Sequence, residues 1–342
     1  MTRRLVELSI AQDRLSCDAS RRRDELHAYF PDRRIHDLVE NGDHYRILLG
    51  PPPSCDYYVD PRLEEGLRWW DPNQAIQDIP YTYRRTNGVF QSLSDAWTLL
   101  SWSEWLSRQG TCPGQVVIVH VDDHDDLMSP RLGTRADGFI DLLTGATVNA
   151  ADPATVTAAI TSGAVGMGSF MVPFLHTVAR VDVRHICDTG YAVSRAQQHM
   201  IENVTVPDTL LATGRPRPAI TLIPMAPHDL MSGTAVSTYR AGNDASSLLA
   251  DLPDAPILLH IDLDYFNNRF NWDSYWAEHS PRHDPPLERI KVRMDALLTA
   301  LNRIRDRVVD VAIGVSPGFF PAEYWETVGN ELIQELAAAS GS

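Results

Sequence analysis

Two segments constrain this chain more than any others: VVIVHVDDHDDL at residues 116–127 and ILLHIDLDYF at residues 257–266. Each opens as the near-continuous apolar run of a strand buried on both faces, and each runs straight into closely spaced acids. Burying such an end is expensive, since two like charges 4 Å apart repel by about 4 kcal/mol at an effective dielectric constant of about 20. A fold that keeps both ends needs positive charge there, and divalent cations supply it most compactly. In extended backbone, residues two apart share a face, so Asp122, His124 and Asp126 would converge, as would Asp262 and Asp264. One Asp-x-Asp at a strand end is more often a turn or a helix cap. Two such clusters, each on an apolar strand, favour a metal site. Oxygen donors with one imidazole suit manganese better than thiolate-bound zinc.

From residue 91 the chain alternates helix and strand. SDAWTLLSWSEWLSR predicts a helix with Ser94 or Asp95 as N-cap, and ATVTAAITSG predicts another. VDVRHI, AITLIPM and VVDVAIGVS read as further strands. Ile290, Met294, Leu297, Leu301 and Ile304 mark an amphipathic helix, and PAEYWETVGNELIQELAAA a last one. Apolar strands separated by helices predict an α/β protein, three-layered around a mostly parallel sheet, with ligands beyond the carboxyl ends of the strands. Residues 1–342 are expected to form one α/β hydrolytic domain, with 1–90 as an irregular N-terminal extension able to contact substrate. The tryptophans of LRWWDPNQ are assigned to packing.

Composition narrows the partners. Thirty basic residues against 45 acidic give a net charge of −15, which opposes nucleic-acid binding and suits a cationic substrate or a metal. No apolar run reaches the length of a membrane span, and the N-terminus lacks a signal-peptide core, so a cytoplasmic protein with no membrane partner is expected. Cys17, Cys55, Cys112 and Cys187 have neither zinc-ligand spacing nor a disulfide framework. The sequence leaves an oligomer open.

Asp-x-His-x-Asp after one strand and Asp-x-Asp after another resembles the ureohydrolase superfamily of arginases and agmatinases, whose fold also carries the histone deacetylases. The strings VHVDDHDDL, GMGSFMVPFLHTVARVDVRHI, HIDLDYFNNRF and GVSPGFFPAEYW are similar to the branch containing the peptide arginases. Those enzymes turn arginine residues of ribosomally made precursor peptides into ornithine and release urea. The resemblance spans roughly residues 88 to 335. It implies an arginase/deacetylase-like fold and a manganese-dependent hydrolase with two Mn2+ ions. Asp122 and Asp262 would bridge the ions, His124 and Asp264 would complete one shell, and Asp126 would bind the other. Asp264 or Asp126 would relay the proton to the leaving amine.

Departures from the family pattern carry information. Where arginases take a further histidine ligand, NGVFQSLSDAW has Leu93, Ser94 and Asp95, so Asp95 or water would fill the gap. No loop matches the one that grips a free amino acid, which suits arginine within a peptide. Gly314 stands where related enzymes place a guanidinium-binding glutamate, leaving Glu323, Asp123 or Asp125 for that role. Asp123 and Asp125 are better read as turn residues, and Glu323 could equally be a first-turn helix charge. Asn268, with Asn267, would touch substrate or tie down the loop. Gly166 and Gly168 would permit a tight turn or a close backbone approach. His120 and His260 alternate in register with the ligands, so each could flank the site, although hydrogen-bonded strand histidines are the better reading. His44, His176, His228, His279 and His283 are assigned to the surface. The rival functions are a small-molecule ureohydrolase or amidohydrolase and a catalytically impaired, metal-bound peptide-binding relative.

Overall fold

The computed structural model describes residues 5–50, 58–187, 198–225, 236–273, 275–278 and 284–337. Cys55, His228, His279 and His283 lie outside the described residues. In chain order the elements are β1 (Val6–Ala11), α1 (Ala19–Tyr29), β2 (Arg34–Asn41), β3 (His44–Gly50), α2 (Leu63–Trp70), β4 (Tyr83–Thr86) and β5 (Val89–Ser92). Then come α3 (Thr98–Arg108), β6 (Val116–Val121), β7 (Leu132–Arg135), β8 (Gly138–Asp141), β9 (Thr147–Val148), α4 (Pro153–Ser162), α5 (Met171–Leu175) and β10 (Val181–Ile186). The remainder is β11 (His199–Pro207), β12 (Pro216–Pro224), β13 (Thr238–Gly242), α6 (Ala245–Leu248), β14 (Ile257–Asp262), α7 (Leu287–Leu301), β15 (Val308–Gly314) and α8 (Trp325–Ala337).

Nine strands form one sheet in the order β12-β11-β13-β10-β6-β14-β15-β5-β4. The six from β13 to β5 are mutually parallel, and antiparallel strands close both ends. The strand alternation divides the core in two. Val116 and Ile118 of β6, Leu258 of β14 and Ala312 of β15 pack with Trp97, Trp102, Ile160 and Phe174 on one face. Val117, Val119 and Val121, with Ile257, Leu259, Ile261, Val311 and Ile313, pack with Ile290, Met294, Leu297, Val328 and Leu332 on the other. Helices therefore cover both faces, as the apolar strand runs require.

The first 90 residues are not the irregular extension expected. β1, β3 and β2 form an antiparallel sheet, and Ile10, Leu26, Phe30, Ile47 and Leu49 belong to the same core as Val116 and Phe174. The alternation in β2 and β3 is interrupted by charged residues, so it is weak in the sequence. Trp70 is buried as packing predicts, with the Arg84 guanidinium 4.0 Å over its ring. α4 carries the caps its sequence signals: Asp152 accepts from the Ala154 N–H, Pro153 follows, and Gly163 closes the end. No helix among the described residues is long and apolar enough to cross a membrane.

Candidate metal centre

The two acidic clusters meet at the carboxyl edge of the parallel strands because β6 and β14 are neighbours, Val121 pairing with Ile261. Asp122 follows directly after β6 and Asp262 ends β14. The remaining donors do not arrive by strand alternation. β6 stops at Val121, and the chain turns, with the His124 N–H donating to Asp122 Oδ1 at 2.7 Å. β14 stops at Asp262, and a short 3-10 turn carries Asp264, whose N–H donates to Asp262 Oδ1 at 3.0 Å. The expectation of shared strand faces is thus corrected for His124 and Asp264, since each leading aspartate caps the amide two residues on and turns that donor inwards. Asp126 lies in the loop after β6 on left-handed backbone.

Three sets of donors each lie with ligand atoms within 4.8 Å of one another: His120, Asp122, Asp126 and His260; Asp122, His124 and Asp264; Asp95, Asp122 and Asp262. Asp122 belongs to all three. Asp95, Asp122, Asp126, Asp262 and Asp264 are all buried. Asp95 does not cap α3, since neither it nor Ser94 makes a side-chain cap bond. It turns into the cluster instead. Gly314 makes this possible, because a Cβ there would stand 1.6 Å from Asp95 Oδ1. The absent side chain at 314 and the aspartate at 95 are two halves of one arrangement.

The electrostatics are those of a cluster that could hold a cation. Asp95 Oδ1 and the Oδ2 atoms of Asp122, Asp126 and Asp264 are buried with no hydrogen-bond partner, as is His260 Nε2. Unpaired buried oxygens of this kind are rare in folded proteins. Burial, reinforced by Asp126, Asp264 and Asp262, pushes the Asp122 carboxyl well above its usual range. Burial and Asp264 do the same to Asp262. Burial lifts Asp95 and Asp126 to about 7. Burial alone would lower His124, but Asp264, with Nδ1 3.0 Å from its Oδ2, and the other acids raise it to about 11. Buried acceptors with raised pKa values around one imidazole fit a divalent cation, which replaces the protons the cluster must otherwise hold. Neither nearby thiol in the chain joins the cluster: Cys112 is exposed with its Sγ directed to the Thr177 carbonyl, and Cys187 is buried with its Sγ directed to the Gly242 carbonyl.

Backbone strain marks the same place. The non-glycine residues with positive φ among those described are Asn87, Asp126, Asn271, Trp272 and Ser316. Asn87 belongs to the turn of the β4–β5 hairpin. Asp126 is a donor, Ser316 donates through Oγ to Asp262 Oδ2 at 2.6 Å, and Asn271 Oδ1 lies 3.4 Å from His124 Nε2. Such strain gathers where the surroundings over-determine a site. Gly168, at φ +69°, turns beside Asp126 and Met128.

Two expected substrate contacts are placed elsewhere. Glu323 is already saturated: Oε1 accepts from Arg269 at 2.9 Å, and Oε2 lies 3.3 Å from Arg62. It holds guanidinium groups, but the chain's own. Asn268 donates to Asp123 Oδ2 at 2.8 Å and accepts from the Asn271 N–H, so it ties the loop to the turn after β6. Asn267 donates to Asp284. His44 pairs with Asp43, and half-buried His176 donates through Nε2 to the Ala219 carbonyl. Ser316 is a site residue that sequence reasoning missed. Its only signal was its place two residues beyond β15, the offset at which Asp264 follows β14.

A cleft of about 160 Å³ is lined by Asp32, Met128, Arg131, Met167 and Trp272 among others, and none of the clustered donors lines it. No family model matches this chain, and no curated protein matches it.

Proposed function

We propose that this chain is a manganese-dependent hydrolase of the ureohydrolase type, built on an arginase/deacetylase-like fold. Its substrate is the arginine side chain of a ribosomally made precursor peptide, and its products are peptidyl ornithine and urea. The observation that carries the reading is the set of three donor groups sharing Asp122, in which Asp95 Oδ1 and the Oδ2 atoms of Asp122 and Asp126 are buried without a hydrogen-bond partner.

In this reading Asp122, His124 and Asp264 would hold one ion, and Asp95, Asp126 and Asp262, with Asp122, would hold the other. Bound divalent cations supply the Lewis acidity that brings water to its nucleophilic form near neutral pH. The protein's part is to hold the acceptors rigidly before the reaction, which the capped turns and the Ser316 bond to Asp262 do. Breaking a guanidino carbon–nitrogen bond also requires a proton on the departing amine. Asp126 and Asp264 each keep an unpaired buried oxygen, so either is placed to carry it. The acidic surroundings favour a cationic guanidinium.

The test is incubation with Mn2+ and arginine-containing peptides in parallel with free arginine. Urea released from peptide, with ornithine in the hydrolysed product, is expected. Urea from free arginine alone selects the small-molecule ureohydrolase. Tight Mn2+ binding without urea from either selects the binding-only relative.

A further inference from the structure

Beneath the carboxylates, three histidines stand in register on adjacent strands: His185 on β10, His120 on β6 and His260 on β14. All are fully buried. Five of their six ring nitrogens have hydrogen-bond partners, and the bonds determine every proton. His185 Nε2 lies 3.0 Å from the Asp122 carbonyl, and its Nδ1 lies 2.5 Å from the Tyr239 hydroxyl. His120 Nε2 lies 2.9 Å from the His124 carbonyl, which can only accept, so His120 carries its proton there. Neutral in its buried setting, His120 then presents a lone pair at Nδ1. His260 Nδ1 sits 2.9 Å from that lone pair and must donate to it. The proton of a neutral His260 is thereby spent on Nδ1, and Nε2 is a bare lone pair.

That nitrogen is the sixth. It is buried without a partner and lies 3.7 Å from Asp95 Oδ1, which is also buried without a partner. Two acceptors face each other at a distance too long for a hydrogen bond. The spacing is that of two atoms on one coordination shell. Phe170, edge-on to the His260 ring with centroids 5.1 Å apart, closes the apolar side.

We propose that His260 is a metal ligand through Nε2, serving the ion that Asp95 and Asp126 hold, with His120 as the positioning residue that fixes its tautomer. It supplies from the strand beneath the site the imidazole that segment 91–97 lacks. Ligand histidines commonly hold their second nitrogen in such a bond. The inference rests on the metal reading above, and goes beyond it in naming a nitrogen donor on each ion.

The test uses Mn2+ alone, with no substrate. Purified protein is stripped of metal, reloaded with Mn2+ and examined for bound ions per chain and for nitrogen coupling in pulsed electron paramagnetic resonance. His124 is half-exposed, so His124→Ala is a tolerant background. With one equivalent of Mn2+, His124→Ala is expected to keep a histidine nitrogen coupling, and the added substitution His260→Gln is expected to remove it. His260→Gln alone is expected to bind one Mn2+ fewer than wild type while keeping the coupling from His124. A His124→Ala protein that binds no Mn2+, or binds it without nitrogen coupling, overturns the proposal, and that result does not depend on the buried variant folding. So does a folded His260→Gln protein with wild-type stoichiometry and affinity. A wild-type protein that takes up no Mn2+ overturns the metal reading itself.

Discussion

Asp122 is where the residue-scale argument concentrates, because every donor set includes it. Burial and four neighbouring acids push its carboxyl well above the usual range, towards the protonated form that asparagine imitates. Asp122→Asn should therefore leave metal-free stability within about 1 kcal/mol of wild type while abolishing the rise in melting temperature on adding Mn2+. Thermal melts with and without the ion check this; a purely structural aspartate would show the reverse pattern. Gly314 gives a second case. A methyl group there would occupy the space of Asp95 Oδ1, so Gly314→Ala should cost about 1–3 kcal/mol by overpacking and weaken Mn2+ binding. Combining it with Asp95→Ala should recover most of the stability but not the binding. Additive stability losses in the double variant would show that the two residues do not share that space.

At the scale of elements, β6 and β14 were legible from the sequence because a strand buried on both faces needs apolar residues throughout. The donors beyond them were legible as residues but not as geometry. Alternation would have placed His124, Asp126 and Asp264 in strands, whereas capped turns carry His124 and Asp264 and Asp126 sits on left-handed backbone beyond the strand. The helix expected at residues 94–108 opens as a 3-10 turn over Asp95–Trp97, with Ser94 at the N-cap position, and becomes α-helical at Thr98. Neither Ser94 nor Asp95 makes a side-chain cap bond, and Asp95 turns into the cluster. α4 shows the opposite behaviour, with local signals and local structure in agreement. Asp152→Ala should cost about 1 kcal/mol in urea unfolding, through loss of the bond to the Ala154 N–H. An unchanged midpoint would mean that tertiary packing alone holds that helix end.

For the whole molecule, the titrating groups predict an opposition between protons and metal. The folded-state pKa values of Asp95, Asp122, Asp126 and Asp262 are raised, so their stabilising protonation is lost as pH rises. His124 acts in the same sense: its contribution is complete below 6.5 and disappears towards about 11. Burial lowers His120, His185 and His260, which makes stability climb with pH only up to their unfolded value of 6.5. Below 6.5 the two sets oppose; above it only the falling contributions remain. The melting temperature of the metal-free protein should fall between pH 6.5 and roughly pH 8.5. With saturating Mn2+ it should hold or rise over that interval, because the ion takes the place of the departing protons. Scanning calorimetry across the interval measures both slopes, and a metal-free protein that stabilises with rising pH would contradict a shared buried cluster.

The amino-acid sequence by itself determined the α/β alternation, the two buried strands and the acids at their ends, because burial and charge leave marks that are local in the chain. Only the tertiary structure decided which strands are neighbours and how the turns bend. It alone filled the gap at Asp95 against Gly314, engaged Glu323 with Arg62 and Arg269, and set His260 against His120. Those relations join residues far apart in the chain, and no local pattern records a distance across a sheet.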